Sequence, residues 1–387
     1  MKLAMAGCGA SFLARHIPED VVTFILLRLP LKFAVRFKCV CKSWCAQISK
    51  PNFIIKSLNW SVFGDDSARL LLKHVDLSTG VRLPALSVVS DKVLDENTVP
   101  VRPRLDFPLP NDACPTVKGP CNGILLLCIT YVDNRHDVLL WNPTTGNHYV
   151  LPQSNVPRIP NGEDSLIGAY GFGFDPRTGD YKVIRFLNNH SDDGMSAYQQ
   201  VELFSLKANS WKEIPNEGID FDMQDINVNG FTVGTYMNAN LHWLVSFGNS
   251  EDTLILVFDV SDEVFHLMPI PDPGLHYIRL FLFNDMIGLV HSPCDESQNL
   301  TSFNVWVMHQ YGVKESWVKV LTVGPVVGLY CSIGFWRNGE FLLERRDGQL
   351  FVYDPSTQKL LKLQHEGTYG TQAIIYKESL TSIPISS

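Results

Sequence analysis

Long hydrophobic runs are missing from this 387-residue chain. Its most apolar windows, Val21 to Leu31 and Ile124 to Val132, fall far short of the roughly 20 residues a membrane-spanning helix needs, and Arg28 and Pro30 interrupt the first. A spanning helix is excluded and a soluble protein is expected. No secretory leader is expected either, because the apolar run after Lys2 is short and Arg15-His16 follows closely. Cysteine occurs at 8, 39, 41, 45, 114, 121, 128, 294 and 331, an odd number without a paired framework. That excludes a disulfide-stapled secreted fold and implies a reducing compartment, the cytoplasm first and the nucleus as the alternative. Cys39, Cys41 and Cys45 lie close together, but no histidine stands at ligand spacing, so no metal is assigned. The triplets at Asn59, Asn189 and Asn299 fit the glycosylation pattern only by chance in such a compartment.

Catalytic signatures are missing as well. There is no His-Glu-x-x-His, no Gly-x-Ser-x-Gly and no Walker loop, and Gly171-Phe172-Gly173 runs into Asp175-Pro176 rather than a helix, which excludes a dinucleotide site. Asp175 and Asp354 precede proline and read as turn formers. His242 and Trp243 lie within a strand and read as core, while Trp141, Trp211 and Trp317 read as packing between sheets. No catalytic residue and no cofactor is assigned.

Charge is scarce, at 19% against 45% hydrophobic residues, which describes a globular chain with one large domain and a smaller segment. It is also unevenly spread. Residues 17–57 hold seven basic and two acidic residues, a balance of +5, whereas 58–387 hold 23 basic and 38 acidic, a balance of −15. A basic segment suits an acidic partner. The acidic body argues against nucleic acid and favours a basic ligand, with solubility as the plain alternative explanation.

What is present falls into two patterns. Pro18 with Glu19 and Asp20 suits a first helical turn. Val21, Ile25 and Leu29 repeat every four residues with Val22 and Leu26 alongside, until Pro30 ends the pattern. A second turn runs through Phe33 and Phe37, and a third helix carries Val40, Trp44 and Ile48 before Pro51. Three helices this short cannot bury their own apolar faces, so they need a partner or the rest of the chain.

After a poorly patterned stretch from Leu70 to Pro110, read as an irregular connection with one or two strands, short β-rich runs alternate with turn residues: 123–127, 138–141, 181–186, 201–204, 241–244, 254–258, 305–307 and 350–353. No helix of useful length interrupts them, so the body is all-β. A module recurs, with Leu140-Trp141-Asn142-Pro143 leading to Leu151-Pro152 and Val352-Tyr353-Asp354-Pro355 leading to Leu360; weaker copies start at Phe204 and Val257. Each reads as a hairpin with a polar turn. Turns at 142, 175, 207, 259, 309 and 354 lie 33, 32, 52, 50 and 45 residues apart, the spacing of a kelch- or WD-like propeller of roughly six to eight blades. A large sandwich or two stacked sheets is the alternative.

The helical run resembles the F-box motif through Pro18, Ile25, Leu26, Arg28, Leu29, Pro30, Arg36, Val40, Cys41, Lys42 and Trp44, with Ile17 where leucine is usual and Phe33, Ala34 and Cys45 in place of Ser, Leu and Arg. The body resembles the F-box-associated domain of plant proteins through Gly119 to Gly123, Leu140 to Pro143, Gly171 to Asp175, Asp180 to Val183 and Ser210 to Lys212. It is most similar to S-locus F-box proteins and their relatives through Val305 to Met308, Tyr311 to Trp317 and Tyr376 to Leu380. The resemblance implies a flexible N-terminus (1–15), a three-helix F-box (16–57), a connecting segment (58–110) and a kelch-type, all-β propeller-like domain (111–387). It also implies a non-catalytic substrate receptor of an SCF-type cullin ubiquitin ligase, degrading a target that the S-locus likeness makes a basic S-ribonuclease of self-incompatibility. The adaptor-binding residues carried over onto a Skp-type partner are Ile17, Pro18, Ile25, Leu29, Pro30, Val35, Val40 and Trp44. An adaptor-binding scaffold without degradation is the alternative, and an independent propeller enzyme, with dispersed sialidase-like carboxylates that no residue supports, is the third reading.

Overall fold

The chain divides into two compact units, Met1–Val62 and Phe63–Ser387. The computed structural model describes residues 18–59 of the first. Of the second it describes 68–76, 83–89, 98–99, 101–105, 108, 114–131, 136–157, 165–190, 197–215, 226–228, 234–247, 253–272, 278–292, 294–295, 300–336, 339–345, 347–366 and 371–383. Ile17 and the expected flexible segment 1–15 lie outside the described residues.

The first unit holds four helices where the periodicity suggests three: α1 (Glu19–Leu27), α2 (Leu31–Phe37), α3 (Lys42–Ile48) and α4 (Pro51–Asn59). Pro51 was expected to end the pattern. It begins α4 instead, because a proline at the first helical position gives up a donor that has no partner there anyway. Leu26, Leu27, Ala34, Ile48, Phe53 and Ser57 are buried, and the Phe37 and Trp44 rings meet edge to face at 5.4 Å.

The second unit is six sheets, antiparallel except for one added parallel strand, which form the blades of a propeller. Blade 2 is β5 (Cys114–Cys121), β6 (Ile124–Thr130), β7 (His136–Trp141) and β8 (His148–Val150). Blade 3 is β9 (Ser165–Asp175), β10 (Asp180–His190), β11 (Ala197–Ser205) and β12 (Ser210–Glu213). In blade 4, β13 (Ile226–Val228) and β14 (Thr235–Met237) both pair with β15 (Asn240–Phe247), followed by β16 (Thr253–Asp259) and β17 (Val264–Met268). Blade 5 is β18 (Ile278–Phe283), β19 (Met286–His291), β21 (Leu300–Met308) and β22 (Trp317–Val327), with β20 (Cys294–Asp295) added to β21. Blade 6 is β23 (Leu329–Phe335), β24 (Phe341–Arg345), β25 (Gln349–Asp354) and β26 (Lys359–Glu366).

Blade 1 is where the expectation fails. The 58–110 stretch, read as an irregular connection, supplies β1 (Ala68–Asp76), β2 (Leu83–Val89) and β4 (Val101–Leu105), and β27 (Gln372–Lys377) completes the sheet in the order β27-β1-β2-β4. The same stretch sends β3 (Thr98–Val99) to lie parallel to β26 as an extra outer strand of blade 6. Leu70, Leu71 and Leu72 are all buried, so β1 shows no alternation to read. Pro103 sits in β4, an outermost strand, where a missing ladder donor is tolerated.

Six apolar clusters fill the six gaps between neighbouring blades, and strand periodicity explains how. Successive side chains of a strand point to opposite faces, so Ile124 and Leu126 of β6 pack towards blade 3, while Leu125 and Leu127 pack towards blade 1. Likewise Leu256 and Phe258 of β16 face blade 3, and Ile255 and Val257 face blade 5. Leu70 and Leu72 meet Leu342, Leu350 and Val352 across the gap between blades 1 and 6, so the ring is closed. Trp141, Trp211 and Trp317 lie in the gaps 1/2, 2/3 and 4/5, as expected for tryptophans packed between blades.

The Gly171-Phe172-Gly173 run has a packing cause. Trp243 of blade 4 is fully buried and lies over blade 3, its Nε1 donating to the Tyr170 carbonyl at 3.1 Å. A Cβ on Gly171 would overlap the Trp243 ring, and one on Gly173 would come within 2.8 Å of the Tyr236 ring. The glycines are spaces that blade 4 fills.

Candidate protein interface

In the helical unit the face that repeats every four residues points outwards. With Leu26 and Leu27 of α1 committed to the interior, Val21, Phe24 and Ile25 are left exposed, and Phe33, Val40 and Ile55 join them from α2, the turn after it and α4. Ile25 is 48% exposed and Val40 59%. Pro18 and Pro30 are exposed, and Leu29, Val35 and Trp44 are half-buried. Sequence reasoning did not single out Phe24, Phe33 or Ile55 for a partner. Phe24 carries the Arg28 guanidinium 3.9 Å above its ring, and the i, i+4 spacing of Phe24 and Arg28 was the available signal.

One rim of the propeller carries two kinds of turn. In a four-stranded meander the first and third turns fall at one end and the second at the other. The first turns of blades 2, 4 and 5 are two-residue hairpins, Asn122-Gly123, Asn238-Ala239 and Asn284-Asp285, with every central φ between 48° and 75°, the type I′ geometry that matches strand twist. The first turn of blade 3 and the third turns of blades 2, 4 and 6 share a different device. The side-chain oxygens of Asn142, Asp175, Asp259 and Asp354 each accept the backbone N–H groups two and three residues on, the Asx turn that makes Asn and Asp turn formers. This is the physical content of the recurring module.

Charged groups weld two of these turns together. Asp175 is fully buried; it receives Ser261 Oγ at 2.7 Å and Thr178 Oγ1 at 2.6 Å, and Lys182 Nζ stands 3.2 Å away. Lys182 also donates to the Val260 carbonyl at 2.7 Å and to Glu263 at 3.0 Å, and Lys212 pairs with Glu263. Burial alone would raise the Asp175 carboxyl, but the hydrogen bonds from Ser261, Thr178 and Lys182 outweigh it and hold the acid well below its ordinary range. The network joins blade 3 to blade 4.

His242 is fully buried. Its Nδ1 lies 2.9 Å from the Thr235 carbonyl, so the proton sits there and Nε2 accepts the Tyr311 hydroxyl at 2.7 Å. Burial lowers its pKa to about 4 from 6.5. Stability from this neutral imidazole is complete above pH 6.5 and declines as the pH falls towards 4, by about 1.4 kcal/mol per unit, hence ~3 kcal/mol in all. Chemical denaturation of His242→Gln at pH 7 and pH 4.5 is expected to show a shallower loss than the parent chain; an equal loss refutes the assignment.

The polar clusters saturate one another, burial pushes the thiols of Cys128 and Cys331 up to about 12, and among the described residues no set of three or more His, Cys, Asp or Glu could hold a metal. None of the described helices is long and apolar enough to cross a membrane.

Comparison with known proteins accords with this geometry. Residues 15–56 match the F-box domain and residues 101–383 the F-box associated beta propeller domain. The F-box protein CPR1 of Arabidopsis thaliana is 28% identical over 371 residues, covering 90% of this chain and 84% of the relative. An F-box/kelch-repeat protein of the same plant is 26% identical, covering 89% of each. Among solved structures, TolB from Acinetobacter baumannii aligns over 85% of this chain and 71% of its own, with 13% identity and a TM-score of 0.46.

Proposed function

Because the chain belongs to the F-box proteins that carry an F-box associated β-propeller, we propose that it is the substrate receptor of an SCF-type cullin ubiquitin ligase. The helical unit holds a Skp-type adaptor through Ile17, Pro18, Ile25, Leu29, Pro30, Val35, Val40 and Trp44. The propeller captures a protein that other subunits ubiquitinate for proteasomal degradation. The chain positions its target and catalyses nothing. One observation carries the reading: α1 has a filled inner face and a second, outward apolar face with Ile25 half exposed, which water does not favour and a partner would cover.

Leu29→Ala with Pro30→Ala is expected to weaken adaptor binding by a few kcal/mol, the cost of losing central anchors, with the propeller's unfolding transition unchanged. Titration calorimetry against purified adaptor measures it. Unchanged affinity in a folded double variant rejects the docking face, and adaptor without cullin in a pull-down selects the non-degradative scaffold.

For the substrate, the favoured class is a basic protein, and on the S-locus likeness a basic style ribonuclease. The −15 balance of residues 58–387 supports it. So does the sequence joining β12 to β13, which holds Glu217, Asp220, Asp222 and Asp225. Complementary charge speeds encounter and makes association salt-sensitive. Salt-dependent binding of the full chain to members of a ribonuclease panel, absent for an unrelated basic protein, is the expected outcome. Equal binding to both removes the ribonuclease role and leaves the ligase reading standing.

A further inference from the structure

We propose that Cys39 and Cys41 form a site for mixed-disulfide formation with glutathione disulfide, and that the adduct releases the adaptor. The second half of this inference rests on the docking face proposed above.

Both thiols are free and exposed, on the turn between α2 and α3, and Cys45 is half-buried beside them. Cys41 is the N-cap of α3, its Sγ accepting the Trp44 backbone N–H at 3.5 Å. Exposure here contrasts with the propeller. Cys121 is sealed between blades 2 and 3 and burial pushes its thiol far up, while Cys128 and Cys331 are raised to about 12, so these three are poor nucleophiles at neutral pH.

Charge selects the reagent. Arg36, Lys38 and Lys42 flank the pair, and no carboxylate occurs between Asp20 and Asp65. Glutathione disulfide is anionic, so this surface concentrates it. Position supplies the consequence, because Val40, the most exposed large apolar side chain among the described residues of the unit, lies between the two cysteines, and Trp44 follows on α3. A charged tripeptide attached there would stand over the apolar face and disturb the Cys41 cap that seats Trp44.

The step balances without a further reagent. The thiolate sulfur of Cys39 or Cys41 attacks one sulfur of the disulfide and the new S–S bond forms. The old one breaks, and the second glutathione leaves with the electron pair and takes up the proton. The cysteine is oxidised and one glutathione sulfur is reduced.

The test uses the full chain with reduced or oxidised glutathione, followed by peptide mapping and adaptor titration. Adducts at Cys39 or Cys41, with adaptor affinity lowered on the order of tenfold or more and restored by dithiothreitol, support the proposal. Cys39→Ser with Cys41→Ser should bind adaptor normally, since serine also caps a helix, and should be indifferent to oxidised glutathione. Adducts only elsewhere, or adducts at this pair with unchanged affinity, overturn it. If the reduced chain does not bind adaptor, the docking face fails and the release mechanism with it, while the mapping still decides the thiol site.

Discussion

A chain ended after residue 366 is expected to lose the cooperative unfolding of its propeller altogether. The missing strand β27 is the inner neighbour of β1, paired from Ala68↔Lys377 to Lys73↔Gln372. Its loss strips Ile374 and Tyr376 from the gap between blades 1 and 2 and removes the fully buried Leu380. Polar ties go with it. The Gln372 amide accepts the Val117 N–H at 3.0 Å and donates to the Val117 carbonyl at 3.3 Å, like a short piece of strand. Beyond β27 the chain lies across blade 2, where the buried Asn142 donates to the carbonyls of Ser379 at 3.0 Å and Thr381 at 2.8 Å, and Tyr376 shares a hydrogen bond with Thr144. A folded domain has only about 5–15 kcal/mol in hand, and losing an inner strand with its apolar contacts exceeds that. Calorimetry of the truncated chain should show no propeller transition; a normal melt would mean the ring closes without β27. Asn142→Ala, which takes a donor from the buried Ser379 carbonyl and from the half-buried Thr381 carbonyl, should cost ~2–3 kcal/mol.

Trp243→Ala is the second large effect, at about 3–5 kcal/mol, the range for truncating a buried tryptophan. The ring fills the gap between blades 3 and 4 against Phe186, 5.2 Å away edge to face, and lies on Gly171 and Gly234 with no room for a Cβ at either. Gly171→Ala in the parent chain should therefore be destabilising by overpacking, by about 1–3 kcal/mol. In the Trp243→Ala background the same methyl should cost less, because the Ile184 and Leu241 side chains, at 2.9 and 3.0 Å from it, can give way into the vacated space. Urea titrations of the four chains measure the coupling. Additive costs would show that the ring and the glycine do not share that space.

How much of this was legible is best seen strand by strand. The runs recognised as strands, from 123–127 to 350–353, all fall on second or third strands of blades. They are buried on both faces and therefore rich in branched and aromatic residues. Outer strands such as β8 and β12 are three or four residues long, with exposed positions, and carry little pattern. Blade 1 escaped because its sheet is assembled from both ends of the domain, a pairing that no local window contains. The turn period was read across two kinds of hairpin. Asp175 closes the first turn of blade 3 while the turn at 207 is the third of the same blade, so the true repeat runs from 142 to 207, 259, 309 and 354. Pattern counting brought the propeller within reach and left the blade number open; six is what the pairing shows. In the helical unit periodicity located α1, but not which side faced inwards, because Val21-Val22 and Ile25-Leu26-Leu27 wrap most of the way round.

Closing the ring with β27 also sets an order of events during synthesis. Strand β1 leaves the ribosome roughly 300 residues before its inner neighbour exists. At about 5–20 residues per second, that is a wait of some ~15–60 s in which blade 1 has no inner strand and its edge is open to wrong partners. The four helices precede β1 and belong to a compact unit of their own. They can be complete and joined to another protein while the propeller is still being made, so the nascent chain offers its adaptor surface well before it can hold a target.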